Sequence, residues 1–111
     1  MAGKFEISKR ANGEFQFNLK AGNGQVILSS EGYSSKGSCT NGIESVRKNS
    51  QVDARFDRKT ASNGKFFFNL TATNGQTVGS SQMYADEGGR DNGIASVKTN
   101  APDASVDDQT A

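Results

Sequence analysis

The sequence has no histidine, no tryptophan, one proline and one cysteine. Each scarcity removes a class of function. Without histidine the commonest general base and the commonest metal ligand are missing, and neither a Ser-His-Asp nor a Cys-His arrangement can be built within the chain. The single thiol, Cys39, excludes an internal disulfide and a structural zinc site of ordinary composition. No apolar run approaches the length of a bilayer span, and the opening Met1-Ala2-Gly3-Lys4-Phe5 lacks the apolar segment of a signal peptide. These features predict a reducing, cytoplasmic setting with no membrane contact. In that setting the acceptor-like triplet Asn69-Leu70-Thr71 reads as coincidence.

Hydrophobic content is low as well, 32% of 111 residues, so the core must be thin. Disorder does not follow, because 13 basic and 12 acidic residues leave a net charge of only +1, and disorder requires high net charge alongside low hydrophobicity. The length fits one domain. Near-neutrality also leaves little charge with which to neutralise nucleic-acid phosphates. The halves differ mildly: residues 1–51 carry seven basic and four acidic side chains, residues 52–111 six and eight.

What the chain does have is a repeat. Displaced by 51 positions, it matches itself without a gap from Phe5/Phe56 to Asn49/Asn100, with 21 of 45 positions identical. Asn12-Gly13 pairs with Asn63-Gly64, and Phe15, Phe17 and Leu19 pair with Phe66, Phe68 and Leu70. Asn23-Gly24-Gln25 pairs with Asn74-Gly75-Gln76, Ser29-Ser30 with Ser80-Ser81, and Tyr33 with Tyr84. Asn41-Gly42-Ile43 matches Asn92-Gly93-Ile94, and Ser45-Val46 matches Ser96-Val97.

Asn-Gly predicts hairpins with type I′ turns, in which both residues take positive φ. Between the two turns of each unit, Phe-x-Phe-x-Leu alternates strictly, as a half-buried strand does. Phe5 and Ile7 mark the strand before, Ile27 and Val78 the strand after, so each unit opens as a three-stranded meander. A helix follows, with Ile43/Val46 and Ile94/Val97 on one narrow face. Its start is predicted near Thr40-Asn41 and Asp91-Asn92 as N-caps, with Asn41-x-x-Glu44 resembling a capping box. Gly42 and Gly93 then fall in the first turn, where close packing on the sheet would account for them. Asn49 and Asn100 are predicted as left-handed C′ residues, with Pro102 preventing continuation. Ala54-Arg55-Phe56-Asp57 aligns with Ala104-Ser105-Val106-Asp107 once a gap is allowed, giving a closing strand, and the segment around Phe56 would end one unit and begin the next. The helices lie on one face of a shared sheet. The other face is polar, with Gln16, Asn18, Lys20, Asn69 and Thr71, and Phe67 is the apolar exception on it.

The repeated Gly-x-Phe-x-Phe-x-Leu strand, the Asn-Gly-Gln turn, the Ser-x-x-Tyr step and the Asn-Gly-Ile-x-Ser-Val helix resemble the YegP-like family of small bacterial proteins. The resemblance covers nearly the whole chain. It implies an α+β fold: two tandem β3-α-β repeats sharing one antiparallel-rich sheet, two helices packed on one face, and C-terminal strands exchanged between repeats. Single-unit members would have to dimerise, whereas this chain pairs its units internally and is expected to be a monomer. The expected layout is one domain over 1–111, with repeat one at about 4–54, repeat two at about 55–107 and a tail at 108–111. The resemblance implies no activity.

Candidate sites are few, and most have a plainer explanation. Cys39 precedes the expected helix start, where a thiol can be activated, but a small buried residue explains it better. The Gly-Ser stretch from Gly32 to Gly42, with Lys36, leads toward a helix and could hold a phosphate. It lacks the Walker spacing, and unit two replaces Lys36 with Glu87. Tyr33 and Tyr84 occupy matching positions and could grip a partner or close the core. Lys9, Arg10 and Lys20 form a basic group that unit two replaces with Thr60, Ala61 and Thr71. Tyr33, Tyr84, Lys36 and Phe67 remain as interaction candidates, and no catalytic residue, cofactor or metal is expected. The leading reading is a non-catalytic interaction or accessory protein with a protein partner. A weak nucleic-acid binder and a carboxylate-based enzyme are the alternatives.

Overall fold

The computed structural model describes residues 3–110. Met1 and Ala2 of the opening segment, and Ala111 of the tail, lie outside the described residues. Unit one comprises β1 (Lys4–Lys9), β2 (Phe15–Lys20), β3 (Val26–Ser29) and α1 (Lys36–Asn49). A short 3-10 turn, Asp53–Arg55, leads to β4 (Phe56–Thr60), β5 (Phe66–Thr71), β6 (Thr77–Ser80), α2 (Glu87–Asn100) and β7 (Ser105–Asp108). The seven strands form one sheet in the order β4-β5-β6-β3-β2-β1-β7. Every pairing is antiparallel except β1 with β7, which is parallel. The chain is thus an α+β protein of two repeats on one mixed sheet, with both helices on one face.

The units meet where β3 pairs β6 through Ser29 and Ser80. These residues are equivalents in the repeat, so a pseudo-twofold axis passes between them. After α1 the chain crosses to the far edge of unit two and becomes β4. After α2 it crosses back toward β1, finds that place taken, and adds as β7 alongside it. The segment around Phe56 therefore both ends unit one and opens unit two.

Alternation puts Phe5, Ile7, Phe17, Leu19, Phe68 and Leu70 beneath the helices, each at most 2% exposed. Burying a side chain of this size contributes about 1.5–3 kcal/mol. Each unit stacks three rings in a column. Phe5 meets Phe17 edge-on at 5.7 Å, and Phe17 lies nearly parallel to Tyr33 at 6.2 Å. Phe56, Phe68 and Tyr84 repeat this at 5.6 and 6.5 Å. A register shift between Leu19 and Lys20 lets both Ile27 and Leu28 turn inward. Ser30 Oγ accepts from the Phe17 N–H at 2.9 Å and donates to the Glu31 carbonyl at 2.8 Å, and Ser81 does the same for Phe68 and Gln82. That closes the meander and accounts for the repeated serine pair.

Three local expectations are corrected. The hairpins are not type I′. Only Gly13, Gly24, Gly64 and Gly75 have positive φ, between 82° and 89°, and no described non-glycine residue does. Each loop is a three-residue G1-bulge turn, as in Gly13 N–H to Arg10 O and Arg10 N–H to Glu14 O. The asparagine serves through its side chain: Asn12 Oδ1 accepts from the Glu14 N–H, with Asn23, Asn63 and Asn74 acting alike.

The helices begin about five residues earlier than expected. Ser35 and Asp86 are the N-caps, accepting from the N–H groups of Ser38 and Gly89, so no Asn41–Glu44 capping box forms. Gly42 and Gly93 lie in the second turn, pressed against the hydroxyls of Tyr33 and Tyr84, where a Cβ would overlap the ring. Finally, Asn49 and Asn100 are the last helical residues rather than left-handed caps. Their amides donate back to the Ser45 and Ser96 carbonyls at 2.8 Å, and Ser50 and Ala101 follow in right-handed conformation.

Candidate functional site: two cross-unit clefts

Crossing of the chain places each helix beside the second hairpin of the other unit. Between α1 and the β5–β6 turn lies a cleft of about 310 Å³ that includes Tyr33, Asn41, Ser45, Asn74 and Gln76 in its walls. Between α2 and the β2–β3 turn lies its counterpart of about 190 Å³, with Tyr84, Asn92, Ser96, Asn23 and Gln25. Each of these five residues is the repeat equivalent of its opposite number and is identical to it. Neither cleft has a cation in its walls; Glu31 is the one acid, in the α1 cleft, with Gln82 opposite it in the other.

Tyr33 and Tyr84 sit at the back of these clefts. Tyr33 exchanges backbone hydrogen bonds of 2.7 Å with Phe15, and Tyr84 does so with Phe66 at 2.7 and 2.9 Å. One ring face is spent on Phe17 or Phe68. Burial pushes both phenols above the usual tyrosine range. The tyrosines thus pack against the core and also reach the cleft.

The other candidates lie elsewhere. Lys36, which the sequence places in a Gly-Ser connection rather than a helix, is the first residue of α1, and its Nζ contacts Asp108 of β7 at 2.8 Å. The Gly-Ser stretch is therefore largely helix, and its lysine fastens the sheet edge. Phe67 stands half-buried on the open sheet face, opposite Lys59 of β4. The structure does not bring Lys36 or Phe67 to the clefts. Cys39 does not precede the helix but lies within the first turns of α1, fully buried on its inner face, and burial pushes its thiol up. Its equivalent Arg90 lays its guanidinium over Phe66 at 5.7 Å and pairs with Asp91. The basic group of unit one is dispersed: Lys20 pairs with Glu6 at 2.9 Å, Arg10 with Glu14 at 3.8 Å, and Lys9 lies over Phe15.

Every resolved pKa shift runs away from neutrality. Asp53 is lowered by Lys98 and Arg58, Glu6 by Lys20, and Asp108 to about 2 by Lys36 and Thr110. Lys4 is raised by Glu6. Among the described residues, no three His, Cys, Asp or Glu side chains gather as a metal site would require.

The clefts were missed in sequence because their residues had ready local explanations, Asn41 as a cap and Gln25 as part of a turn. The usable signal was exposure combined with identity between the copies.

Comparison with known proteins gives a consistent picture. The family described as domain of unknown function (DUF1508) matches residues 11–57 and again 61–108. A UPF0339 protein YegP of Escherichia coli K12 is 57% identical over 110 residues, covering 99% of this chain and all of the relative. A UPF0339 protein encoded in the ptx operon 5′ region of Stutzerimonas stutzeri is 58% identical over 106 residues, covering 96% of both. The solution NMR structure of yegP from E. coli superposes with a TM-score of 0.94 at 57% identity, covering 98% of this chain and 94% of that one. A UPF0339 protein from Shewanella oneidensis gives a TM-score of 0.92 at 50% identity, covering 97% and 92%.

Proposed function

This chain belongs to the DUF1508 family in two tandem copies, and from that premise we propose that it is a small cytoplasmic protein that acts by binding, with no chemistry of its own. The observation that carries the reading is that neither cleft gathers a cation or a pair of acids in its walls, and the direction of the pKa shifts agrees with it. Acid–base catalysis needs groups moved toward neutrality. Here the shifted carboxylates Glu6, Asp53 and Asp108 are held ionised, while Cys39, Tyr33 and Tyr84 are held protonated. The repeat supports the same conclusion, since the identical residues build turns, helix ends, the core and the two clefts. Within the gap-free match no acid is identical, Glu6 for Asp57 being the nearest pair, and the aligned Asp57 and Asp107 stand on the two outermost strands of the sheet.

The partner we propose is a protein, met by a monomer. Nucleic acid is disfavoured because Lys9, Arg10 and Lys20 are each engaged within the chain. Two measurements test the reading. The protein at micromolar concentration is incubated with a native metabolite extract, and the extract is followed by mass spectrometry. Time-dependent loss of a metabolite in proportion to protein concentration overturns the non-catalytic reading. Affinity capture from native lysate at rising salt is expected to retain a stoichiometric protein partner, whereas retention of nucleic acid alone favours the alternative.

A further inference from the structure

Exposed side chains should be the first to drift apart between two copies of a duplicated unit. Apart from glycine, four exposed residues are nevertheless identical in both copies: Asn12/Asn63, Asn23/Asn74, Gln25/Gln76 and Asn41/Asn92. The first two pairs are accounted for, since their Oδ1 atoms close the turns. The other two are not. The glutamines serve the turn through their backbone: each N–H donates to the asparagine Oδ1, and each carbonyl accepts from the N–H of Ala21 or Ala72. The asparagines stand on the exposed surface of a helix, where asparagine is a poor helix former. These unexplained pairs converge across the units: Asn41 shares a cleft with Gln76, and Asn92 shares the other with Gln25.

We propose that the two clefts are equivalent binding sites for an uncharged, hydroxyl-rich ring, a neutral sugar unit. This inference rests on the reading that the chain acts by binding, and it adds a ligand site to the protein partner proposed above. A primary amide offers two donors and an acceptor side by side, which suits adjacent hydroxyls. The absence of a cation from the walls disfavours phosphate and carboxylate groups. The single acid, Glu31, is not reproduced in the second cleft, so cations are not the shared ligand. A flat base could stack on only the one face of each tyrosine not spent on phenylalanine, and no second ring lines either cleft to clamp it. The volumes equal roughly six to ten waters, room for one small ring. Peptides are taken by sheet edges or apolar grooves, and these clefts are neither.

The test is a titration of the full-length 15N-labelled protein, followed by heteronuclear NMR, with N-acetylglucosamine, glucose and maltotriose. Fast-exchange shifts are expected at the side-chain amides of Asn41, Gln76, Asn92 and Gln25, in both clefts. Asn41→Ala/Gln76→Ala is expected to weaken binding at least tenfold in its own cleft and to leave the other unchanged. The untouched cleft and the remaining spectrum report that the variant folds. Shifts with monosaccharides identify a free sugar. Shifts with maltotriose alone identify a unit of a polymer. Failure of all three sugars at 50-fold molar excess and beyond, to about 50 mM, overturns the proposal, as does response to a neutral blocked tripeptide without response to sugar. Neither failure touches the non-catalytic reading, which falls only on turnover.

Discussion

At the residue scale, the pseudo-twofold axis explains one of the largest departures from the repeat. Leu28 and Gly79 are equivalents, flanking the axis at Ser29 and Ser80. A Cβ at Gly79 would come within 2.8 Å of the Leu28 side chain. Two large residues cannot both occupy that place, so one copy keeps leucine and the other gives way. Gly79→Ala is expected to destabilise by about 1–3 kcal/mol through overpacking, and Leu28→Ala by about 2–5 kcal/mol through a cavity. Leu28→Gly/Gly79→Leu should recover most of the loss, read as strong non-additivity in denaturant unfolding. The cleft asparagines give the opposite sign. Asn41→Ala and Asn92→Ala replace an exposed poor helix former with the best one, so each is expected to stabilise by roughly 0.5 kcal/mol. Loss of stability in the same assay would mean that the asparagines hold the fold rather than serve the surface.

At the scale of elements, legibility followed the strength of the local signal. Strand β2 alternates without a fault and β5 departs from alternation only at Phe67, and the asparagine-glycine pairs mark the turns beside them. The helix starts were not. Gly37, Gly88 and Gly89 dilute the first turns, and a stretch rich in glycine and serine reads as a connection. What starts the helices is the pair Ser35 and Asp86, each closing on the third residue beyond it. The clefts were hidden for another reason, since they depend on the crossing of the chain between units. Strand β7 carries a pH dependence. Its Asp108 has a folded pKa of about 2 against an ordinary 3.8, because of Lys36 and Thr110. A depressed carboxylate stabilises above its unfolded pKa and loses that contribution as pH falls through the folded one. Hydrogen exchange at Gln109, whose N–H donates to the Ile7 carbonyl, is therefore expected to lose protection between about pH 4 and pH 2. Asp108→Asn should show the lowered protection already at pH 6.

At the scale of the molecule, neither unit is complete alone. Helix α1 packs on β2 of its own unit and on β5 and β6 of the other, and α2 packs on β5 and β3. Side chains tie the halves further: Arg47 donates to the Pro102 carbonyl, Gln51 to that of Lys98, and Lys98 pairs with Asp53 at 2.8 Å. Residues 1–54 expressed alone are thus expected to sediment as a dimer, with the second copy standing in for unit two. A folded, concentration-independent monomer in analytical ultracentrifugation would contradict the interlocked arrangement.

The parallel pairing of β1 with β7 sets a timetable for synthesis. Lys4 lies opposite Ser105, so β1 waits on the ribosome for a partner about 100 residues further along the chain. At 5–20 residues per second, that interval is roughly 5–20 s. Throughout it the outer edge of β1 offers unpaired backbone groups to any neighbouring chain. A nascent chain of this design is most vulnerable to mispairing at β1, and the hazard ends only when β7 emerges to cover it.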